Sequence, residues 1–447
     1  MLMLSVSVWR GAPVLSRYFA SSRTFASVCR HRNKVLGMIN GSNQCPQQTI
    51  AMKKLSNARP VRCLWTKPRP NLITPLPLAM EKFSESTALV DERGTYSYGN
   101  LLQCTYELAE RIVQTCGPSE NHICLDDVKI SYLCPNDASY VVSTLAVWLS
   151  GGVAVPLCKS HPASEWKYFI EDSQSKLVLC SPEFEESLRP VAESLGIPLL
   201  VVDNNLTISE EQEANSDEDD QSESAKHFWK DVIYNYSWQQ QENNKFKRKP
   251  ALIIYTSGTT GRPKGVVHTF NSIQSQVEGM QKAWAWSPSD MILHSLPLHH
   301  VHGVVNALLT PLYTGATCLM LPQFDARRVW DYLLGNKVSQ SVTMFMGVPT
   351  MYVKLIEDFE KRFSRGRGTK RARDYVKAMC KARVRLMVSG SAPLPTPVMA
   401  KWEELTGHVL LERYGMTETG MVLTNALQGA RIPGAVGKPF PKMEVMV

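Results

Sequence analysis

The stretch Tyr255-Thr-Ser-Gly-Thr-Thr-Gly-Arg-Pro-Lys-Gly265 decides how the rest of the chain is read. Ahead of it stands Ala251-Leu-Ile-Ile254, a short apolar run of the kind that forms a buried strand. The stretch then supplies five hydroxyls (Tyr255, Thr256, Ser257, Thr259, Thr260), three glycines (Gly258, Gly261, Gly265), Arg262, Pro263 and Lys264. Glycines let a backbone turn tightly and bring its N–H groups up to an anion, hydroxyls donate, and the cations neutralise charge. A strand that empties into such a loop is a cradle for a polyphosphate. The order is G-x-x-G-x-x-K-G, with Lys264 followed by glycine instead of Ser or Thr, so this is not a Walker A loop.

Upstream, the chain alternates. Strand-like runs at 128–134, 153–157, 176–180 and 198–202 are separated by helix-compatible segments at 138–149, 164–173 and 183–195. Asp137 is placed to cap the first of those helices, and Gly151-Gly152 stops it. Strands separated by helices predict an α/β fold whose parallel sheet is covered on both faces. Residues 209–224 are dense in acid and poor in apolar groups, which predicts a solvated insertion, and the Arg-, Lys- and Gly-rich run 362–373 reads as a second flexible stretch.

The chain has 447 residues, 44% of them apolar, enough for a large core in two or three subdomains. Its net charge of +8 is uneven. Residues 1–80 hold 12 Lys or Arg and no acid; taking those 12 from the overall +8 leaves 81–447 at −4. A mildly acidic body argues against nucleic acid as a partner. An acid-free leader in which Trp9, Tyr18, Phe19 and Phe25 alternate with Arg10, Arg17 and Arg23 has the composition of a mitochondrial targeting peptide. Residues 1–70 are therefore expected to be leader and disordered linker, followed by the catalytic body from 71 to 447. Eleven cysteines without a C-x-x-C pair suit reduced thiols, and the apolar run 141–157, broken at Gly151-Gly152, is too short to predict a transmembrane segment.

Downstream lie three more motifs. Leu296-Pro-Leu-His-His-Val-His-Gly303 packs three histidines into four residues. Metal binding is one reading, but no carboxylate or cysteine accompanies them at ligand spacing. An apolar run ends in the small-residue turn Ser389-Gly-Ser-Ala-Pro393, and Glu412-Arg-Tyr-Gly-Met-Thr-Glu418 precedes a glycine-bounded turn.

Together with residues 255–265 and Pro433-Gly-Ala-Val-Gly-Lys-Pro439, these motifs resemble, in order and spacing, the adenylate-forming superfamily of acyl-CoA synthetases, luciferases and peptide-synthetase adenylation domains. The resemblance implies a large N-terminal domain of two αβαβα-type subdomains and the start of a third, β-rich one. It implies ATP held by residues 256–264, with Lys264 on the phosphates. Glu418 would hold Mg²⁺, Thr417 would donate to the α-phosphate, and Tyr414 and Gly415 would pack on adenine. Ser391, Ala392 and Pro393 would read the base from a segment that is commonly S-G-G-A-P. His300 would sit beside the acid, and His302 would replace the apolar lining of relatives with larger substrates. The acid would attack ATP to give acyl-AMP and pyrophosphate, and CoA would then displace AMP.

The combination at 299–303, 347–352, 389–395 and 412–418 is similar to mitochondrial malonyl-CoA synthetases. That implies malonate, with methylmalonate as a second candidate, feeding malonyl-CoA and fatty-acid metabolism in the mitochondrial matrix. A buried second carboxylate needs a cation or strong donors. His302 and Arg385 are the candidates, with Arg327 and Arg328 in competition. A medium-chain acid, or nucleotide binding without catalysis, stays open as an alternative. The resemblance also implies that Lys442–Val447 lies in a strand of the third subdomain, and that the small C-terminal domain of the superfamily lies beyond the residues in hand.

Overall fold

A computed structural model describes residues 75–117, 125, 127–202, 248–257, 261–337, 340–363 and 369–446, all within one compact unit. The expected leader, the acidic insertion at 209–224 and residues 258–260 of the phosphate loop lie outside the described residues.

The six-stranded sheet comprises β3 (Lys129–Leu133), β4 (Val153–Pro156), β5 (Leu177–Cys180), β6 (Leu199–Val201), β7 (Pro250–Thr256) and β8 (Lys264–Thr269). Its order is β6-β5-β3-β4-β7-β8, parallel except where β8 returns antiparallel along β7. The helices between them are Ala138–Leu149, Ala163–Asp172 and Pro182–Ser194, as the alternation predicts. Asp137 does cap the first, its carboxylate accepting from Ser139 N at 3.0 Å.

The nine-stranded sheet runs β15-β14-β13-β12-β11-β9-β10-β1-β2. Here β1 is Thr87–Val90, β2 Thr95–Ser97, β9 Met291–His294, β10 Thr317–Met320, β11 Met344–Gly347 and β12 Leu386–Ser389. β13 (Leu411–Met416), β14 (Gly420–Thr424) and β15 (Lys438–Pro439) complete it, and these last three pair antiparallel. Lys442–Met446 forms no strand: the ladder stops at the two residues of β15. The flexible stretch at 362–373 is also corrected, because helices Pro349–Phe363 and Thr369–Arg383 occupy its two ends.

Every residue of helix Ala138–Leu149 is buried, consistent with a sequence that is apolar on all sides. One apolar core runs from β3, β4 and β7 through this helix to β9 and β11. The same segment reaches the histidine loop: Asn136 Nδ2 donates to Leu296 O at 3.0 Å and Tyr140 Oη to Leu298 O at 2.8 Å. A core helix of one sheet thereby fixes a loop that leaves the other. No helix among the described residues is long and apolar enough to cross a membrane.

Candidate active site

A cavity of ≈ 1010 Å³ opens where β3, β4, β7, β9, β10, β11 and β12 end. Ligands of parallel α/β sheets bind outside the carboxyl ends of the strands, and this volume is at the upper end of the range for small-molecule sites. Thr256, Ser257 and Lys264 reach it from the β7–β8 hairpin, and Gly415, Thr417 and Glu418 from the β13–β14 turn. His300, His302 and Ser391 reach it from the loops after β9 and β12. Segments separated by more than a hundred residues are thus brought together as the motifs implied.

The phosphate loop is held at its stem. Thr256 and Lys264 are register partners, Tyr255 Oη donates to Asp172 Oδ2 at 2.7 Å, and the Tyr255 ring stacks on Phe169 at 4.3 Å. Gly265 follows Lys264 because a side chain there would collide with Ile253 and the Tyr255 ring. Arg262 lies over the Tyr168 ring at 5.6 Å, and Tyr168 Oη donates to Pro263 O at 2.8 Å. Arg262 therefore braces the hairpin. Gly261 adopts φ 150°, a region favouring glycine. Lys264 and Glu418 are exposed on the cavity, and neither side chain has a hydrogen-bond or ion-pair partner among the described residues. A free carboxylate on a wall shared with the Thr256 and Ser257 hydroxyls suits a hard cation such as Mg²⁺.

The acid half is more unusual. Arg413 is only 3% exposed, no carboxylate is paired with it among the described residues, and its Nε has no hydrogen-bond partner. Burial pushes its guanidinium down to about 9. Gly390 makes the space, since a Cβ there would strike the guanidinium. An Nη of Arg413 donates to Ser391 Oγ at 3.2 Å, and Ser391 Oγ lies 3.1 Å from His302 Nδ1. A guanidinium only donates, so Ser391 Oγ accepts from Arg413; where the serine gives its own hydrogen to Nδ1, the His302 hydrogen sits on Nε2. That Nε2 is buried and unpartnered. Burial, then the nearby Arg413, hold His302 well below the usual histidine range, so it is a neutral donor at neutral pH. Burial likewise lowers His299, to about 3, and His300. The wall thus presents two buried nitrogens without hydrogen-bond partners, Arg413 Nε and His302 Nε2, the first of them on a cation.

Ser391 stands where the S-G-G-A-P pattern has glycine, and it adopts φ 67°. An L-residue in that region costs about 1–2 kcal/mol. Ser391→Gly is therefore expected to raise stability by about 0.5–1 kcal/mol in denaturant melts, after allowing for the larger chain entropy of glycine. The same change removes the hydroxyl between Arg413 and His302 and leaves both without their shared partner.

Two groups of expectations end differently. Ala392, Pro393 and Tyr414 are exposed and do not line the cavity. Arg385 is not a substrate residue. It precedes β12 at the amino end, and its guanidinium is engaged by Asp290 at 2.7 and 2.8 Å and by the carbonyls of Trp284 and Ala285. Its competitor Arg328 pairs with Glu92. Arg413, which the sequence reading passed over, is the buried arginine that lines the cavity. Its signal was a lone arginine beside apolar Leu410-Leu411, directly upstream of the proposed nucleotide residues.

This fold and site define a class: residues 77–447 match the AMP-binding enzyme family, and the chain belongs to it. Among curated proteins it is 48% identical over 364 residues to the mitochondrial malonate–CoA ligase ACSF3 of Xenopus laevis, covering 81% of this chain and 58% of that one. It is 45% identical over 367 residues to the same-named protein of Homo sapiens, covering 82% and 58%. Among solved structures, ATP-bound MatB from Rhodopseudomonas palustris superposes with a TM-score of 0.63 at 27% identity, over 84% of this chain and 65% of that one. The chain thus spans about three-fifths of the length of the curated relatives it matches.

Proposed function

We propose that this chain forms the nucleotide- and acid-binding part of a malonate–CoA ligase. The observation that carries the reading is Arg413, a buried guanidinium that no carboxylate among the described residues neutralises. A buried cation of this kind calls for an anionic ligand, and malonate has a second carboxylate to offer. The names of the Xenopus and human relatives support the same substrate and a mitochondrial location, as does the acid-free leader. A fusion of residues 1–40 to a fluorescent reporter that stays diffuse in the cytosol would overturn the location.

The chemistry follows from the wall. ATP phosphates lie on Thr256, Ser257 and the adjoining loop, where the Lys264 ammonium offsets their charge. Glu418 is the residue to hold Mg²⁺, which supplies further charge neutralisation when bound. The distal carboxylate of malonate accepts from Arg413 Nε and His302 Nε2. That anchor turns the reacting carboxylate toward the nucleotide, with His300 beside it. A carboxylate oxygen bonds to the α-phosphorus as the bond to pyrophosphate breaks, giving malonyl-AMP. The CoA thiol then attacks the carbonyl carbon, AMP leaves, and the thiol proton goes to solvent.

An acid panel tests the proposal. With nucleotide present, calorimetry should rank malonate and methylmalonate above octanoate and butyrate. Tighter binding of octanoate would replace malonate as the substrate.

A further inference from the structure

We propose that Cys158, His161 and His299 form a binding site for a zinc-class transition metal on the edge of the cavity. This does not depend on which acid is activated. The three residues come from two places: Cys158 and His161 from the connection between β4 and helix Ala163–Asp172, and His299 from the loop after β9. Their ligating atoms all lie within 4.8 Å of one another. One thiol and two imidazoles make the mixed S/N set that zinc prefers. With ordinary Zn–S and Zn–N bond lengths, tetrahedral ligand atoms stand roughly 3.3–3.6 Å apart. Closure therefore asks for side-chain rotation of about an ångström and no change in the backbone.

The surroundings suit a ligating histidine. His161 Nδ1 is buried with no hydrogen-bond partner, and Glu165 Oε2 lies 3.2 Å from it. A carboxylate behind one ring nitrogen is the usual device for turning the other nitrogen to a metal. The rings are also held in place: His161 packs edge-on to His299 and Phe169, each at 5.6 Å. The histidine cluster lacked a cysteine partner in the sequence only because Cys158 and His161 belong to a distant segment.

Cys158 and His299 both line the cavity, and the His299 ring lies 4.2 Å from that of His300. Three protein ligands leave one tetrahedral position for water or a carboxylate oxygen. A bound metal would tie the histidine loop to the end of β4 and so bear directly on the acid half of the cavity.

The test uses the 447-residue chain, freed of metal with a chelator and titrated with Co²⁺ alone. One equivalent should produce a thiolate-to-cobalt charge-transfer band, which Zn²⁺ abolishes by displacement. Cys158→Ser should remove the band, and His161→Ala and His299→Ala should each weaken Co²⁺ binding at least tenfold with unchanged circular dichroism. Absence of the band, or its survival in Cys158→Ser, would overturn the site. His161 is only partly buried, so its alanine variant keeps the test decisive if the serine variant fails to fold. Unchanged cobalt affinity in that variant is also a refutation.

Discussion

Replacing Arg413 by methionine is expected to cut malonate affinity at least about 100-fold, about 2.7 kcal/mol, and to leave ATP affinity within about threefold. The size of the effect follows from burial. Arg413 is 3% exposed, so a carboxylate bound to it is shielded from water, and truncating one partner of such a pair leaves the other charge uncompensated. The variant should still fold. Exchanging a buried charge for an apolar side chain of similar volume is often neutral or stabilising, and among the described residues no acid is paired with the arginine. A second outcome separates this reading from simple damage. Methionine removes the cost of desolvating a cation, so butyrate and other monocarboxylates should bind as well as, or better than, they do to the parent chain. Arg413→Lys should recover little, because an ammonium lacks the fork that spans Ser391 and the ligand. Calorimetry with malonate, butyrate and ATP on the three proteins decides the matter. Equal malonate affinity in parent and Arg413→Met would remove Arg413 from the acid site.

The sequence disclosed what depends on neighbouring residues. The glycine-rich hairpin was legible because its glycines, hydroxyls and lysine are contiguous, and the β3–β7 alternation because short apolar runs alternate with helix-compatible spacing, the first helix carrying its own cap at Asp137. Arg413 was hidden because its surroundings depend on features that only the fold brings together. Gly390 leaves the space, Ser391 accepts an N–H, and the register that sets Ser389 against Glu412 brings the two strands level. None of these is implied by the run Glu412-Arg-Tyr alone. The misreading of Arg385 has a simpler origin. It is near Ser391 in sequence, but β12 lies between them, and four strand residues at about 3.3 Å each separate the two by roughly 13 Å. The cavity is at the carboxyl end of that strand. A cation at its amino end lies at the opposite end of the strands from the cavity.

Arg385→Ala should therefore be a stability variant with intact binding. The Asp290 side chain is 2% exposed, and beyond Arg385 it accepts only from Thr343 Oγ1 at 2.8 Å and from Ser287 at 2.9 Å to N and 3.2 Å to Oγ. Losing the guanidinium strands a buried carboxylate, and the cost for such a pair is about 3–5 kcal/mol. Arg385 is itself 32% exposed, so solvent screening points to the lower end, about 3 kcal/mol. The pH dependence supplies the signature. Burial pushes Asp290 up, and the bonds from Arg385, Thr343 and Ser287 pull it below the ordinary carboxylate range. In the parent chain this stabilisation is present above the unfolded carboxylate pKa of about 3.9 and is lost as pH falls through the lower folded value. In the variant, burial is less opposed and Asp290 takes up a proton at higher pH. The deficit relative to the parent should then be largest at neutral pH and shrink as the buffer is acidified. Urea denaturation at pH 7 and pH 5 measures it. Arg385→Ala combined with Asp290→Asn should regain much of the loss, since the stranded charge is gone. A tenfold loss of malonate affinity in Arg385→Ala without loss of stability would instead return Arg385 to the binding site.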